Sequence, residues 1–496
     1  MSDFDAIVHG LRGTSPRIIA GDIVLSDDDL HARIGRLAGA LARHGMTRVA
    51  SRLDNGPEWL ALDLALRCID AVHVPLPTFF SASQVDHALA SSGAQCLVFD
   101  TRMPIPAGMA THAQSNLDGH LGCMHLDCPP TVLPPGTACI TYTSGTTGTP
   151  KGVCLGADVM LAVAASLKQA SHSISPRRHL CLMPLSTLLE NIAGLYAALL
   201  SGAVIVVPPL ADIGYTGSAG LDVPTLLKCL HRAQPESVIL VPQLLLALVM
   251  AAEQGAALPS SLRYIAVGGG RVGPALLARA AALGLPVFEG YGLTECASVV
   301  CLNTPEAQRA GSVGKPLPHA RVQIIDGEIC VDGVRCLGYL GEEGPPPGPI
   351  ATGDLGHIDD DGFVHVTGRR KNVFITAFGR NVSPEWVESE LLQHHALAQV
   401  VVSGEARPSN VAVVWPRRAD IDDAGIRRAL DDVNAGLPDY ARISDFVRAE
   451  RPFSVADGLL TANGRPRREA ILALYADAID RCYPSSISLS PHETTA

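Results

Sequence analysis

The chain has 496 residues, is 47% hydrophobic, and carries a formal net charge of −11 with a pI near 5.8. A single core stops growing near about 250–300 residues, so this length implies roughly two to four structural units. The acidic balance argues against broad nucleic-acid binding, which needs a basic face. The first ten residues, MSDFDAIVHG, have neither the basic nor the apolar region of a secretory leader.

Residues 20–210 alternate between helical and strand patterns. In "LSDDDLHARIGRLAGALARHG", Ser26 is placed to cap a helix, acids fill the first turn, and Leu30, Ile34, Leu37 and Leu41 share one face. A short strand near 47–52, a helix near 57–70, the strand "AVHVPL", a helix near 83–92 and the strand "QCLVFD" follow. This rhythm implies a largely parallel sheet covered by helices. The stretch "HLGCMHLDC" contains His120, Cys123, His125 and Cys128, which are metal-compatible side chains. Four ligands so close in sequence, with no second pair at a distance, close a tetrahedron poorly, so the reading is a loop. The 13 scattered cysteines suit a reducing cytoplasm, not a disulfide framework.

The uncharged run from Asn191 to Ala211 is long enough for a membrane span, but Gly194, Ser201, Gly202 and Pro208-Pro209 interrupt it. It reads as a buried helix, a turn at Gly202 and the buried strand "AVIVV". The αβ rhythm resumes over 223–300 and ends in the strand "VFEGYG". After about 310, "ARVQIIDGEICVDGVRCLGYL" and "HIDDDGFVHVTGRRKNVFI" are alternating strands with Asp-Gly turns, which predicts hairpins. From about 372 a further unit begins: helix 384–394, strands "QVVVSG" and "NVAVVWP", helix 422–436. The fold class is therefore α/β: a large N-terminal domain of αβ-layered sheets with a β-rich subdomain (1–370), then a small mobile C-terminal α+β domain (371–483). The Ser/Pro-rich residues 484–496 read as a disordered tail.

The densest chemistry is "YTSGTTGTPKGV", residues 142–153, which follows an apolar strand. Thr143, Ser144, Thr146 and Thr147 supply hydroxyls, Gly145 and Gly148 let backbone N–H groups approach an oxyanion, and Lys151 adds a positive charge. Charge-assisted bonds contribute roughly 1.5–3 kcal/mol each, so several could hold a triphosphate. The spacing is not the Walker pattern, since Pro150 precedes Lys151 and Gly152 follows it.

This loop resembles the phosphate loop of the adenylate-forming superfamily: acyl- and aryl-CoA ligases, adenylation domains and luciferases. "VGGG" (267–270), "GYGLTE" (290–295), "ATGDLG" (351–356) and "GRRKNVFITAFGRNVSPEWVE" (368–388) follow in the family's order, so the resemblance covers nearly the whole chain. It implies a two-step reaction. A carboxylate attacks the α-phosphate of ATP, giving an acyl adenylate and pyrophosphate; a thiol, usually coenzyme A, then displaces AMP. It implies that Lys151 contacts phosphate, that Gly268, Gly269 and Gly270 lie against adenine and the acyl group, and that Tyr291, between Gly290 and Gly292, stacks on adenine. It further implies that Thr294 contacts the α-phosphate, Glu295 holds Mg²⁺, Asp354 and Arg369 contact the ribose, and Lys371 is the hinge. Gly379, Val382, Pro384 and Glu388 match the loop that lines the pantetheine tunnel.

The substrate side, "MPLSTLLENIAGLYAALLSG" (183–202), is apolar and lacks a basic residue, which predicts an acid with an apolar tail, fatty, branched or aryl. Glu190 within it is expected to take protein partners, as buried carboxylates do. The partners are then a small-molecule acid and coenzyme A or, alternatively, an acyl carrier protein, with no nucleic acid and no membrane span. One position departs from the family. Its C-terminal lysine, which bridges carboxylate and α-phosphate, is replaced in "TANGRPRR" by Arg465, and no lysine follows Lys371. Arginine keeps the charge and the donors but is longer and planar. Three accounts follow: Arg465 does the lysine's work; the enzyme is specialised, for instance for a small anion such as nitrite; or only nucleotide binding remains. Lys151, Thr294, Glu295, Asp354 and Arg369 are all in place, which favours the first. Arg467 and Arg468 read as a solvated helix start.

Overall fold

The computed structural model describes residues 3–103, 114–143, 151–216, 220–342, 344, 347–461 and 464–483. The tail expected to be disordered, 484–496, and the loop residues Ser144, Gly145, Thr146, Thr147 and Gly148 lie outside the described residues, as does the side chain of Thr143. The chain divides into two compact units, Met1–Val366 and Thr367–Ala496, and the division falls inside the strand Val364–Arg369.

The first unit is built on two large sheets and a small one. In the nine-stranded sheet, Pro16–Ala20, Val204–Val206, Arg178–Leu180, Ser237–Leu240, Tyr264–Val267 and Val287–Tyr291 run parallel. Antiparallel strands finish both edges: Ile23–Ser26 on one, Cys301–Leu302 and Lys315–Pro316 on the other. In the eight-stranded sheet the parallel centre is Cys96–Asp100, Arg48–Arg52, Val72–Pro75 and Thr137–Thr143. Thr137–Thr143 then pairs antiparallel with Lys151–Gly156. The four-stranded sheet contains Ala320–Ile325 and Glu328–Gly333, joined at the expected Asp326-Gly327 turn, with Gly327 at φ 75°.

Local sequence explains the helices that cover these sheets. Ser26 accepts from Asp29 N–H while the Asp29 carboxylate accepts from Ser26 N–H, which starts the helix Asp27–Arg43; Leu30, Ile34, Leu37 and Leu41 are buried as one stripe. Helix Pro57–Cys68 is buried on nearly every side, from Trp59 to Arg67, and joins the core that spans both large sheets. Asn191–Ala211 becomes a π-helical turn Leu189–Tyr196, a helix Ala197–Ser201, Gly202 at φ 71° and the strand Val204–Val206. Among the described residues no helix is long and apolar enough to cross a membrane.

One reading is overturned here. The segment with His120, Cys123, His125 and Cys128 is not simply a loop: Leu121–His125 is a strand paired with Cys96–Asp100. Within that strand Cys123 is buried in the core and His125, at its end, is half-buried, while His120 lies before the strand and is exposed.

The second unit holds a three-stranded sheet: Leu397–Ser403 and Asn410–Pro416 antiparallel, with Ile443–Arg448 added parallel. Helices Pro384–Leu391, Asp423–Asn434, Arg468–Leu474 and Ala476–Arg481 complete it. Ile443–Arg448 escapes the sequence reading because "ISDFVR" is only partly apolar and carries a weak alternation.

Candidate active site

The signature motifs of the first unit gather where parallel strands end. Ser237–Leu240, Tyr264–Val267 and Val287–Tyr291 lie side by side and parallel, so their carboxyl ends share one rim. Gly268 N–H donates to Leu240 C=O at 3.0 Å, and a Cβ on Gly268 would sit 3.5 Å from Gly290 C=O, so "VGGG" and "GYGLTE" are adjacent. Such rims are where open α/β sheets bind ligands. Gly269 adopts φ +77°, and a Cβ there would meet Leu189 and Val241 at 3.6 and 3.5 Å, which brings the π-helical turn to the same rim.

The chain after Tyr291 is tightly wound. Gly292 packs so closely on Ser298 C=O that a Cβ would lie 1.6 Å away. Ala297 and Ser298, at φ 53° and 99°, occupy the left-handed region, where non-glycine residues cost roughly 1–2 kcal/mol each. The close packing of Gly292 and the bonds from Ser298 N–H to Leu293 C=O and Val300 N–H to Tyr291 C=O hold that strain, and with it the short 3-10 turn Thr294–Cys296, which presents Thr294 and Glu295.

Two hydrogen-bonded pairs order the charged side chains. Tyr339 O–H donates to Glu295 Oε1 at 2.7 Å, and Lys151 Nζ lies 5.4 Å from the centre of the same Tyr339 ring and 3.6 Å from Glu342 Oε1. Tyr339 thus links Lys151 to Glu295. Burial and the neighbouring Glu295 push the Tyr339 hydroxyl well up, so it keeps its proton and donates. Tyr291 O–H donates to Asp354 Oδ2 at 2.7 Å, which joins the two residues expected to face adenine and ribose. Asp354 lies in strand Ile350–Ile358, and its N–H is held by Thr352 Oγ1 at 3.1 Å.

The sequence reading did not single out Tyr339, Glu342 or Glu289. Tyr339 and Glu342 lie more than forty residues from Glu295, Tyr339 in a stretch that reads as a hairpin and Glu342 in the loop "GEEGPPPGP" that follows it. Glu289, one residue before Gly290, is buried; Val272 N–H donates to its Oε1 at 3.4 Å, and burial pushes its carboxyl up to about 7. On the substrate side, Glu190 is fully buried between His179 Nε2 at 2.9 Å and Met183 N–H at 2.8 Å. His179, Cys181 and Glu190 bring metal-compatible atoms within 4.8 Å of one another. His179 also reaches Ser237 Oγ at 3.0 Å, so the cluster is a hydrogen-bonded network among its own side chains.

Arg369, Lys371 and Arg465 belong to the second unit. Arg369 ends its strand and its C=O accepts from Asn372 and Val373 N–H, a turn that leaves Lys371 exposed. Arg465 is exposed in a turn where its C=O accepts from Thr461 N–H at 2.7 Å and its N–H donates to Thr461 Oγ1 at 3.1 Å. Arg468 corrects the expectation of a solvated helix start. Its Nη2 lies 2.7 Å from both oxygens of Glu388, and the two side chains are 17% and 9% exposed. A short helix spacing from Arg467 hid this, because Arg467 is exposed while the next residue turns inward. Burial pushes the Glu388 carboxyl up to about 7 even with Arg468 beside it.

Comparison with known proteins identifies the family and the fold. The AMP-binding enzyme family matches residues 12–345, and the AMP-binding enzyme C-terminal domain matches residues 371–486. A long-chain-fatty-acid–CoA ligase of Mycobacterium bovis is 28% identical over 86% of this chain and 86% of its own. A 2-succinylbenzoate–CoA ligase of Bacillus mycoides is 30% identical over 77% of this chain and 80% of its own. An o-succinylbenzoate CoA synthetase from Bacillus subtilis, solved with its acyl-adenylate intermediate, superposes with a TM-score of 0.75 at 25% identity, covering 95% of this chain and 98% of that one.

Proposed function

This chain belongs to the AMP-binding enzyme family, and from that premise we propose that it is an AMP-forming acid–thiol ligase. It activates a carboxylic acid with ATP to an acyl adenylate, then transfers the acyl group to coenzyme A with release of AMP. The observation that carries this reading is the link Lys151–Tyr339–Glu295 on the chain that continues the strand rim where Tyr291 meets Asp354.

The roles follow from chemistry. Lys151 brings a positive charge beside the glycine- and hydroxyl-rich loop and attracts phosphate oxygens. Asp354 accepts from ribose hydroxyls, and Tyr291, held by Asp354, offers its ring to adenine. Among the described residues the Glu295 carboxylate accepts one hydrogen bond, from Tyr339, which leaves hard oxygen donors suited to Mg²⁺. The ion would neutralise phosphate charge when bound. Thr294, on the same turn, donates to the α-phosphate, and Glu295 fixes where that turn points. Gly268–Gly270 leave the rim open to adenine and the acyl group. Arg369 contacts the ribose, Lys371 is the hinge, and Arg465 bridges carboxylate and α-phosphate in the lysine's stead.

The acid has an apolar tail, fatty or aryl. Leu189 and Val241 flank Gly269, and the segment 183–202 offers no basic side chain to a second carboxylate. The thirteen cysteines are all free, which suits a reducing, cytoplasmic setting. Pyrophosphate release over a panel of acids, with and without coenzyme A, tests the proposal. Release with an apolar acid and formation of its thioester are expected. Release without thioester would assign the acyl group to a carrier protein. No release with any acid or with nitrite, despite ATP binding, would reduce the chain to a nucleotide binder.

A further inference from the structure

Glu388, matched in the sequence to the loop that lines the pantetheine tunnel, instead turns its carboxylate inward onto Arg468 and Val402, and the reaction above gives this buried pair no task. Glu388 lies in helix Pro384–Leu391 and Arg468 opens helix Arg468–Leu474, eighty positions away. Both side chains also reach one residue of strand Leu397–Ser403. Val402 N–H donates to Glu388 Oε1 at 2.6 Å, and Arg468 Nη1 donates to Val402 C=O at 2.8 Å. That strand is outermost in its three-stranded sheet. The pair therefore satisfies an open edge much as another strand would. Apolar side chains cover protein surface without the desolvation cost of two buried charges, so a charged solution points to a demand for geometry.

What the pair holds is the second leg of the Arg465 turn. The first leg is rooted by Leu459 and Leu460, buried among Val401, Val411, Val413 and Phe453. The legs meet through Arg467 N–H to Leu459 C=O at 2.8 Å and the bridge Leu460–Pro466. On the returning leg Arg465, Pro466 and Arg467 are exposed, and Arg468 is the first side chain to enter the body of the unit. We propose that Arg468, locked by Glu388 and Val402, is a positioning residue that fixes where Arg465 is presented during adenylation. This rests on the reading of Arg465 as the bridging cation.

The test uses the full chain and measures two half-reactions separately: pyrophosphate release from acid and ATP, and thioester formation from preformed acyl adenylate. A misplacement on the order of 1 Å costs about 10²-fold, so Arg468→Gln should lower adenylation kcat by roughly 10- to 100-fold. KM values and thioester formation should stay within about threefold, and Arg468→Lys should recover part of the loss. If Arg468 acts through Arg465, adding Arg468→Gln to Arg465→Ala should change adenylation by less than about twofold. Equal losses in both half-reactions, or losses that multiply in the double variant, overturn the positioning role and leave Arg465 untouched. Wild-type adenylation in Arg465→Ala refutes the bridging role and the positioning with it. Should Arg468→Gln fail to fold, Glu388→Gln, which keeps an acceptor for Val402 N–H, carries the same test.

Discussion

Asp63 and Glu295 both accept a hydrogen bond from a tyrosine, in the same unit of the chain, yet their surroundings differ throughout. Asp63 Oδ1 takes Arg67 Nη2 at 3.0 Å and His73 Nδ1 at 2.6 Å, its other oxygen takes Tyr196 O–H, and His73 Nε2 meets Ser51 Oγ at 2.7 Å. Serine, histidine and carboxylate thus stand in the relation of a nucleophilic triad. Yet the Asp63, Arg67 and His73 side chains are each 1% exposed. Burial would raise the Asp63 carboxyl, but Arg67, His73 and Tyr196 outweigh it and hold it well below the usual range. Burial also lowers His73, so a neutral imidazole donates to Asp63 and accepts from Ser51. The Glu295 surroundings are open by contrast: Lys151 and Glu342, which flank Tyr339, are 53% and 54% exposed. Satisfied and sealed, a catalytic-looking constellation ties sheet to helix; accessible and with lone pairs to spare, a plainer one can meet a ligand.

Substitutions can break this contrast. The largest effect on folding should come from Asp63→Ala, which leaves Arg67 buried without its carboxylate. A loss of about 3–5 kcal/mol, read by chemical denaturation, is expected; a loss under about 1 kcal/mol would show that the network is not a structural keystone. Lys151→Ala and Glu295→Ala should invert the pattern. Each should lower pyrophosphate release by roughly 10²–10³-fold while stability moves by no more than about 0.5 kcal/mol. Wild-type rates in both would refute their place in the site.

Glu289 sharpens the comparison, since it is buried like Asp63 but lacks a close cationic partner of comparable strength. Its folded pKa of about 7 lies above the unfolded value near 4.3. The protonated form therefore stabilises the fold below pH about 4, and that contribution is lost as pH rises from there through 7, by about 4 kcal/mol in all. Glu289→Gln should flatten the fall in melting temperature between about pH 4 and 7; an unchanged slope would remove Glu289 as its source. The smallest effect belongs to Tyr339→Phe, which removes one donor from Glu295. A net hydrogen bond contributes about 1 kcal/mol, so adenylation should fall by roughly fivefold to tenfold. A loss as deep as that of Glu295→Ala would make Tyr339 a contact of the substrate itself.

Much of this was legible in the chain. The helix Asp27–Arg43 announces itself in a capping box and a stripe of Leu and Ile, and the hairpin at Asp326-Gly327 in its turn dipeptide. The glycine- and hydroxyl-rich loop at 142–153 and the motifs at 290–295 and 351–356 are likewise contiguous words. Tyr339 was not legible as a partner of Glu295, nor Arg468 as anything but a surface charge. The same local string, an arginine at a helix start, fits both a solvated and a buried fate.

Periodicity, capping and turn chemistry act between residues a few positions apart, so the sequence by itself determined the order of helices and strands and the glycine- and hydroxyl-rich composition of the loop before Lys151. Which strand edge stays open, and which distant side chain covers it, depends on how those elements pack. Only the tertiary structure could therefore join Glu388 to Arg468 across eighty positions, seal Ser51, His73 and Asp63 from water, and set Tyr339 between Lys151 and Glu295. Burial decides whether a polar group is satisfied or available, and burial is a property of the packed chain.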